Sequence, residues 1–171
     1  MAKKNPRFGG GKRDSSSSKE RPIKMLARNK RARFDYHILE VVEAGIELSG
    51  TEVKAARAGK IQLKEAYVDF SADQAWLVGA HISPYSHGNR MNHEATQRRR
   101  LLLHRREIDR FRGRSQAQRL TVVPLSMYLK GSWIKVEIGL AQGKQAHDKR
   151  ETERRKEQEK EAREAVKQQR W

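Results

Sequence analysis

The stretch Leu120-Thr121-Val122-Val123-Pro124-Leu125-Ser126-Met127-Tyr128-Leu129-Lys130-Gly131-Ser132-Trp133-Ile134-Lys135-Val136-Glu137-Ile138-Gly139-Leu140 decides the fold. Apolar, largely β-branched residues fill both halves, and Lys130-Gly131-Ser132 between them reads as a hairpin turn. The second half alternates cleanly between apolar and polar positions, as a strand with one buried face must. Pro124 cannot donate to a ladder, so it marks a bulge or an edge.

The upstream chain carries further strands of the same kind. Phe34 to Val42 reads as a strand, Glu43-Ala44-Gly45 as a turn or bulge, and Ile46-Glu47-Leu48 as its continuation. Ser49-Gly50-Thr51-Glu52 is a capping box opening a short helix over 51–58, which exposes Lys54 and Arg57 and stops at Gly59. Ile61 to Leu63 is a brief strand. Tyr67–Phe70 and Ala75–Ile82 form a hairpin about Ser71-Ala72-Asp73-Gln74, ended by Ser83-Pro84. Residues 84–100 read as a long exposed loop. His104–Phe111 follows as a helix with Ile108 and Phe111 on one face and Gly113 as its stop. Six or seven short strands, two small helices and no βαβ spacing predict a mainly β fold, a small antiparallel barrel with short flanking helices.

The two ends differ in kind. Residues 1–27 contain Gly9-Gly10-Gly11 and Ser15-Ser16-Ser17-Ser18 among repelling cations and read as a disordered basic leader. The folded body is expected over 28–141. Residues 142–171 are almost wholly Glu, Lys, Arg, Gln and Ala. Their i,i+4 pairs Glu151–Arg155 and Glu159–Arg163 favour helix, yet no apolar stripe exists to hold one. A charged tail follows, disordered in free solution and helical against a partner, with Gly143–Arg150 as the hinge.

The 171 residues carry 38 Lys and Arg against 21 Asp and Glu, a formal net charge of +17. The excess is spread along the chain, with +6 in residues 31–141 alone. A polyanion is the partner this implies, through phosphate neutralisation and counterion release. An anionic membrane surface would need a basic helix with a bulky apolar face or a lipidation motif, and neither is present. There is no cysteine and no apolar run long enough to span a bilayer, which fits a cytoplasmic protein. No tight pair of histidine ligands, nucleophile motif or phosphate-cradling glycine loop appears, so neither an enzyme, a metal site nor a cofactor is expected. The densest basic cluster is Arg98, Arg99, Arg100, Arg105, Arg106, Arg110, Arg112 and Arg114, with only Glu107 and Asp109 to offset it. Arg at that density suits bidentate phosphate contact, and RNA is its expected ligand. In the tail, His147 and Trp171 are planar groups able to stack on a base.

Several stretches together resemble the SsrA-binding protein (small protein B) family of bacterial trans-translation. They are Asn29-Lys30-Arg31-Ala32-Arg33, Glu43-Ala44-Gly45, Gly50-Thr51-Glu52-Val53-Lys54 with Arg57-Ala58-Gly59, and His81-Ile82-Ser83-Pro84-Tyr85. To these add His87-Gly88-Asn89-Arg90, Leu101-Leu102-Leu103-His104-Arg105-Arg106-Glu107, Val136-Glu137, Gly143-Lys144 and His147-Asp148-Lys149-Arg150. The resemblance implies an oligonucleotide/oligosaccharide-binding-like barrel that binds the tRNA-like domain of transfer-messenger RNA. It also implies delivery of that RNA to stalled ribosomes, with elongation factor Tu and GTP joined indirectly through the RNA. Glu43, Leu102 and His104 match positions implicated in holding the tRNA-like domain. Lys54, Arg57, Asn89 and Arg90 join the arginine cluster as expected RNA contacts. Gly143, Lys144, His147, Asp148, Lys149 and Arg150 match the start of a tail that enters the decoding centre and the vacant message channel. Two other readings share the composition. A ribosomal protein would sediment stoichiometrically with all ribosomes, and a ribonuclease would lose cleavage on replacing His87 or His93.

Overall fold

The computed structural model describes residues 22–86 and 92–168, the side chains of 167 and 168 excepted. The hairpin expected from the deciding stretch is formed by β8 (Thr121–Lys130) and β9 (Trp133–Gly143), paired from Lys130↔Trp133 to Thr121↔Ala141. Gly131 supplies the positive φ, 64°, that a two-residue loop with glycine first requires. Pro124 lies at a bulge, where the register shifts between Pro124 and Ser126. It is buried in an interior strand, not at an edge.

Around this hairpin the chain adds β1 (Ile23–Arg28), α1 (Lys30–Asp35), β2 (Tyr36–Ile46), α2 (Gly50–Arg57), β3 (Ile61–Gln62) and β4 (Tyr67–Ser71). Then come β5 (Gln74–Val78), β6 (His81–Ile82), β7 (Arg99–Leu102), α3 (Arg105–Gln118) and, after β9, α4 (Ala146–Gln168). Seven strands form one antiparallel sheet in the order β1-β8-β9-β2-β7-β5-β4, and β3 pairs with β6. β1 and β4 end the sheet without pairing to each other, so the ladder is not closed among the described residues and the expected small barrel is not confirmed. β4 nonetheless curls back to lie against β8.

One sheet face packs inward. Ala44, Val136, Ile138 and Leu140 from β2 and β9 join Leu77, Ile82, Met127 and Phe111, each fully buried. Removing Phe111 to Ala would cost about 3–5 kcal/mol. A smaller cluster of Ala32, Val123, Leu125 and Ala141 seats α1 at one end of the sheet.

Several elements differ from the sequence expectation. β1 begins at Ile23, inside the stretch read as leader, because its ladder to β8 supplies a pairing that leader composition hides. Residues 1–21 lie outside the described residues. α3 runs through Gly113 and stops at Arg119, the left-handed residue with φ 50°. The packing of Ile108 and Phe111 outweighs one exposed glycine. The capping box is present as expected: Ser49 Oγ accepts from Glu52 N–H, and Glu52 Oε2 accepts from Ser49 N–H at 2.7 Å.

That glutamate does more than cap. Its other oxygen accepts from Arg99 Nε and from Gln97 Nε2, both at 2.7 Å. Arg99 also donates to the carbonyls of Ala80 (2.7 Å), Gln97 (2.9 Å) and Ala95 (3.0 Å). Both side chains are 1–2% exposed. Burial raises the Glu52 pKa, but hydrogen bonds from Ser49, Gln97 and Arg99 and the Arg99 charge outweigh it and leave a net depression. Breaking one side of such a pair strands a buried charge. Glu52→Ala and Arg99→Met are each expected to lose about 3–5 kcal/mol of unfolding free energy in urea titrations at neutral pH. In the wild type this contribution is present above the ordinary carboxylate range and is lost as pH falls through the depressed folded value.

Candidate nucleic-acid interface

The second face of the sheet looks outward. Its rows follow from the register: Gly45 faces Lys135 on one side and Leu102 on the other, Glu43 faces Glu137, and Val41 faces Gly139. Across the hairpin, Lys135 faces Tyr128, Glu137 faces Ser126, and Trp133 faces Lys130. Alternation therefore brings Glu43 and Leu102, two expected RNA contacts from separate parts of the chain, onto one surface. Gly45 makes their approach possible: a Cβ there would come within 3.1 Å of the Leu102 Cβ.

This face is apolar at its surface and cationic around it. Ile23, Met25, Val41, Leu102 and Trp133 are all between 42% and 65% exposed. A soluble domain seldom leaves that many large apolar groups on one surface without a partner. Glu43 sits among them and is fully engaged. Tyr128 Oη donates to it at 2.6 Å, Lys130 Nζ lies at 3.0 Å, and Lys135 Nζ lies at 3.9 Å. The Tyr128 hydrogen bond and, against the opposing effect of burial, the Lys130 contact hold the Glu43 carboxyl below its usual range. Burial and the neighbouring carboxylates push the Tyr128 phenol well above its ordinary value. Next to Tyr128, a groove of about 550 Å³ runs between the sheet and α1, bringing in Arg28, Lys30 and Arg33.

The arginine cluster does not act as one patch. Arg99 is the buried partner of Glu52, so it is not a surface contact. Arg98 pairs with Asp69 at 3.2 Å and lies over the Trp76 ring at 5.2 Å. Arg100 pairs with Glu47 at 3.0 Å, and Arg105 with Asp73 and Asp109, each at 3.1 Å. Arg110 and Arg114 both reach Glu40, and Arg112 reaches Asp73. Arg106 is exposed and pairs with none of the described residues. The exposed pairs are worth little in stability and can be exchanged for phosphate at small cost. On α2, Lys54 lies over the Tyr85 ring at 5.5 Å and Arg57 donates to the Ser132 carbonyl at 3.4 Å. His104 precedes α3, its backbone N–H donating to Glu107 at 2.9 Å. Asn89, Arg90 and Trp171 lie outside the described residues.

The hinge is seated against α1 and the start of β2. Gly143 is the last residue of β9 and faces Tyr36. Lys144 N–H donates to the Asp35 carbonyl at 2.8 Å, and Lys149 Nζ meets the Asp35 carboxylate at 2.9 Å. Asp148 accepts from Gln145 N–H at 3.2 Å and faces His37 Nε2 at 3.5 Å and His147 Nε2 at 2.9 Å. Further along, Lys156 lies over the Phe34 ring at 5.0 Å. His147 is itself 74% exposed, and Arg150 is exposed. α4 runs as a helix from Ala146 to Gln168, the conformation the sequence expects of this tail against a partner. Its first turns gain contacts to Phe34, Asp35 and His37 that no local pattern announces. Sequence reasoning also missed Tyr128, Lys130, Trp133 and Lys135 as neighbours of Glu43. The outward half of the β9 alternation was the signal available for Lys135 and Trp133.

The Lys149 hydrogen bond depresses the Asp35 pKa, with Arg31 adding to it against burial. Asp148 is depressed as well, the Gln145 hydrogen bond and the two histidines outweighing burial. Docking of the first turn of α4 should persist as pH falls into the ordinary carboxylate range and be lost only as it falls through the depressed values. At neutral pH, Lys149→Ala should speed amide hydrogen exchange in the first two turns of α4 while leaving β2 and β9 unchanged. Equal exchange in both proteins would contradict the seating.

Comparison with known proteins places the chain in context. A family model described as "SmpB protein" matches residues 26–168. An SsrA-binding protein of Gloeothece citriformis is 51% identical over 156 residues, covering 91% of this chain and 99% of that protein. One from Carboxydothermus hydrogenoformans is 50% identical over 128 residues, covering 75% and 86%. Among solved structures, a chain described as "tmRNA-SmpB: a journey to the center of the bacterial ribosome" superposes with a TM-score of 0.60 at 43% identity. That match covers 70% of this chain and 85% of the other.

Proposed function

The chain belongs to the SmpB protein family, and from that premise we propose that it binds transfer-messenger RNA and carries it to stalled ribosomes for trans-translation. The body, residues 28–141 with β1 added, grips the tRNA-like domain. The tail, residues 142–171, reaches the decoding centre and the empty message channel. Elongation factor Tu with GTP joins indirectly, bound to the same RNA. The protein acts as an adaptor and catalyses no reaction.

The observation that carries this reading is the placement of the two ends of one ladder. Glu43 and Tyr36 are seven residues apart on β2, a separation of about 23 Å at strand rise. Around Glu43 lies the outward face with Leu102 and its lysines; at Tyr36 lies the hinge. A body can thus hold a structured RNA by shape, phosphate and stacking at one end and present a tail at the other. A-form and tRNA-like helices offer few base edges to side chains, which suits a face of mixed apolar and cationic groups. The tail is a solvated helix of alternating charge, with Arg155–Glu159 and Lys160–Glu164 as surface pairs. Such a helix has little to bury in water and much to offer to an RNA-walled channel.

Deleting residues 151–171 is expected to leave affinity for transfer-messenger RNA within about twofold and to abolish peptide tagging on ribosomes stalled at a message end. Affinity is read by filter binding and tagging by gel analysis of the nascent chain. Collapse of RNA affinity in the truncated protein would overturn the division of labour.

A further inference from the structure

Among the described residues, Trp133 has the largest fractional exposure of the exposed large apolar residues, at 65%. It stands at the tip of the β8–β9 hairpin, immediately after the Gly131-Ser132 loop, and its side chain makes no hydrogen bond or cation–ring contact with the described residues. Its cross-strand partner is Lys130. Lys135 is two residues along the same outward row, and Arg57 reaches the neighbouring Ser132 carbonyl at 3.4 Å. Glu43, Lys130, Trp133 and Lys135 line a shallow recess of about 330 Å³, open to solvent.

An exposed indole on a folded hairpin has little value to a solitary domain. It leaves most of its apolar area in water, and it raises the risk of aggregation. Three cations beside it favour a polyanionic occupant. The carboxylate at the floor of the recess refines this. Glu43 stays ionised and is already satisfied by Tyr128, Lys130 and Lys135, so it repels a phosphate placed directly over it. A nucleic-acid backbone would therefore pass along the lysine side and turn a base, not a phosphate, toward the recess. The flat surface that receives a base there is the indole.

We propose that Trp133 is a stacking post for one unpaired or terminally stacked nucleobase of the bound RNA, with Lys130 and Lys135 flanking it at the adjoining phosphates. This rests on the reading of the outward face as the RNA-binding surface, and it adds a residue that the arginine cluster and the Glu43–Leu102 pair do not supply. Stacking on an indole tolerates any base, so the post sets affinity and registration more than sequence. The occupant is RNA; a second copy of this chain is the competing outcome of the test.

The experiment uses the full chain and a fragment comprising the tRNA-like domain of transfer-messenger RNA. Binding of the wild type is measured first, and its absence would overturn the RNA-face reading and this proposal together. With wild-type binding in hand, Trp133→Leu is expected to weaken affinity about 5- to 100-fold while Trp133→Phe stays within a few-fold of wild type. The dependence of affinity on salt should keep its slope in both variants, because no charge is lost. Tryptophan fluorescence quenching on RNA addition should be smaller in Trp133→Phe than in wild type by the share belonging to Trp133. Circular dichroism and sedimentation check that the variants fold and do not change oligomeric state. Equal affinity of wild type and Trp133→Leu would overturn the proposal. So would equal losses in the Leu and Phe variants, or a change in self-association without a change in RNA affinity.

Discussion

The structure depends on one antiparallel ladder, β2 against β9, which runs from Tyr36↔Gly143 to Gly45↔Lys135. It is the middle of the sheet, with β8 and β1 on one side and β7, β5 and β4 on the other. Its inner residues make much of the hydrophobic core, and its outer residues make the surface that carries Glu43. Its open end is where the tail begins. β9 passes into α4 with only Lys144 and Gln145 between them. That short join, fixed by Asp35 to Lys144 and Lys149, gives the tail a defined starting direction. A flexible linker of similar composition would not.

Charge is arranged more economically than the net value suggests. Most arginines of the dense cluster already hold carboxylates, and one of them is buried. Weak exposed pairs of this kind keep cations in place and release them readily to phosphate. The outward face works differently. There the apolar groups are exposed, the lysines are few, and the carboxylate of Glu43 is neutralised by its neighbours. On the proposed reading, a face of that composition discriminates by shape and stacking, while the arginines supply the longer-range attraction.

What was legible in the sequence was local. The hairpin announced itself through alternation and Gly131, and α2 through its capping box. Leu102 and Glu43 were named only through family resemblance; their meeting on one face needs the pairing of β2 with β7. Arg99 was misread because its partner is 47 residues away in sequence. Its alternation with Leu101, both buried, marks a short inward-facing strand that the surrounding arginines obscured. β1 escaped for a similar reason: Ile23 and Met25 are exposed, and only the backbone ladder to β8 makes them a strand. The seating of α4 could not be read from propensity, since its anchoring contact joins Lys149 to a residue 114 positions earlier.

The central claim is that RNA is held by the outward sheet face while the hinge stays free for another partner. Amide chemical shifts of the isotope-labelled full chain, recorded with and without the tRNA-like RNA fragment, test it most directly. The account predicts large shifts at Glu43, Gly45, Leu102, Tyr128 and Trp133, with His147 to Arg150 unmoved. Shifts concentrated in α4 and absent from β2 and β9 would contradict it.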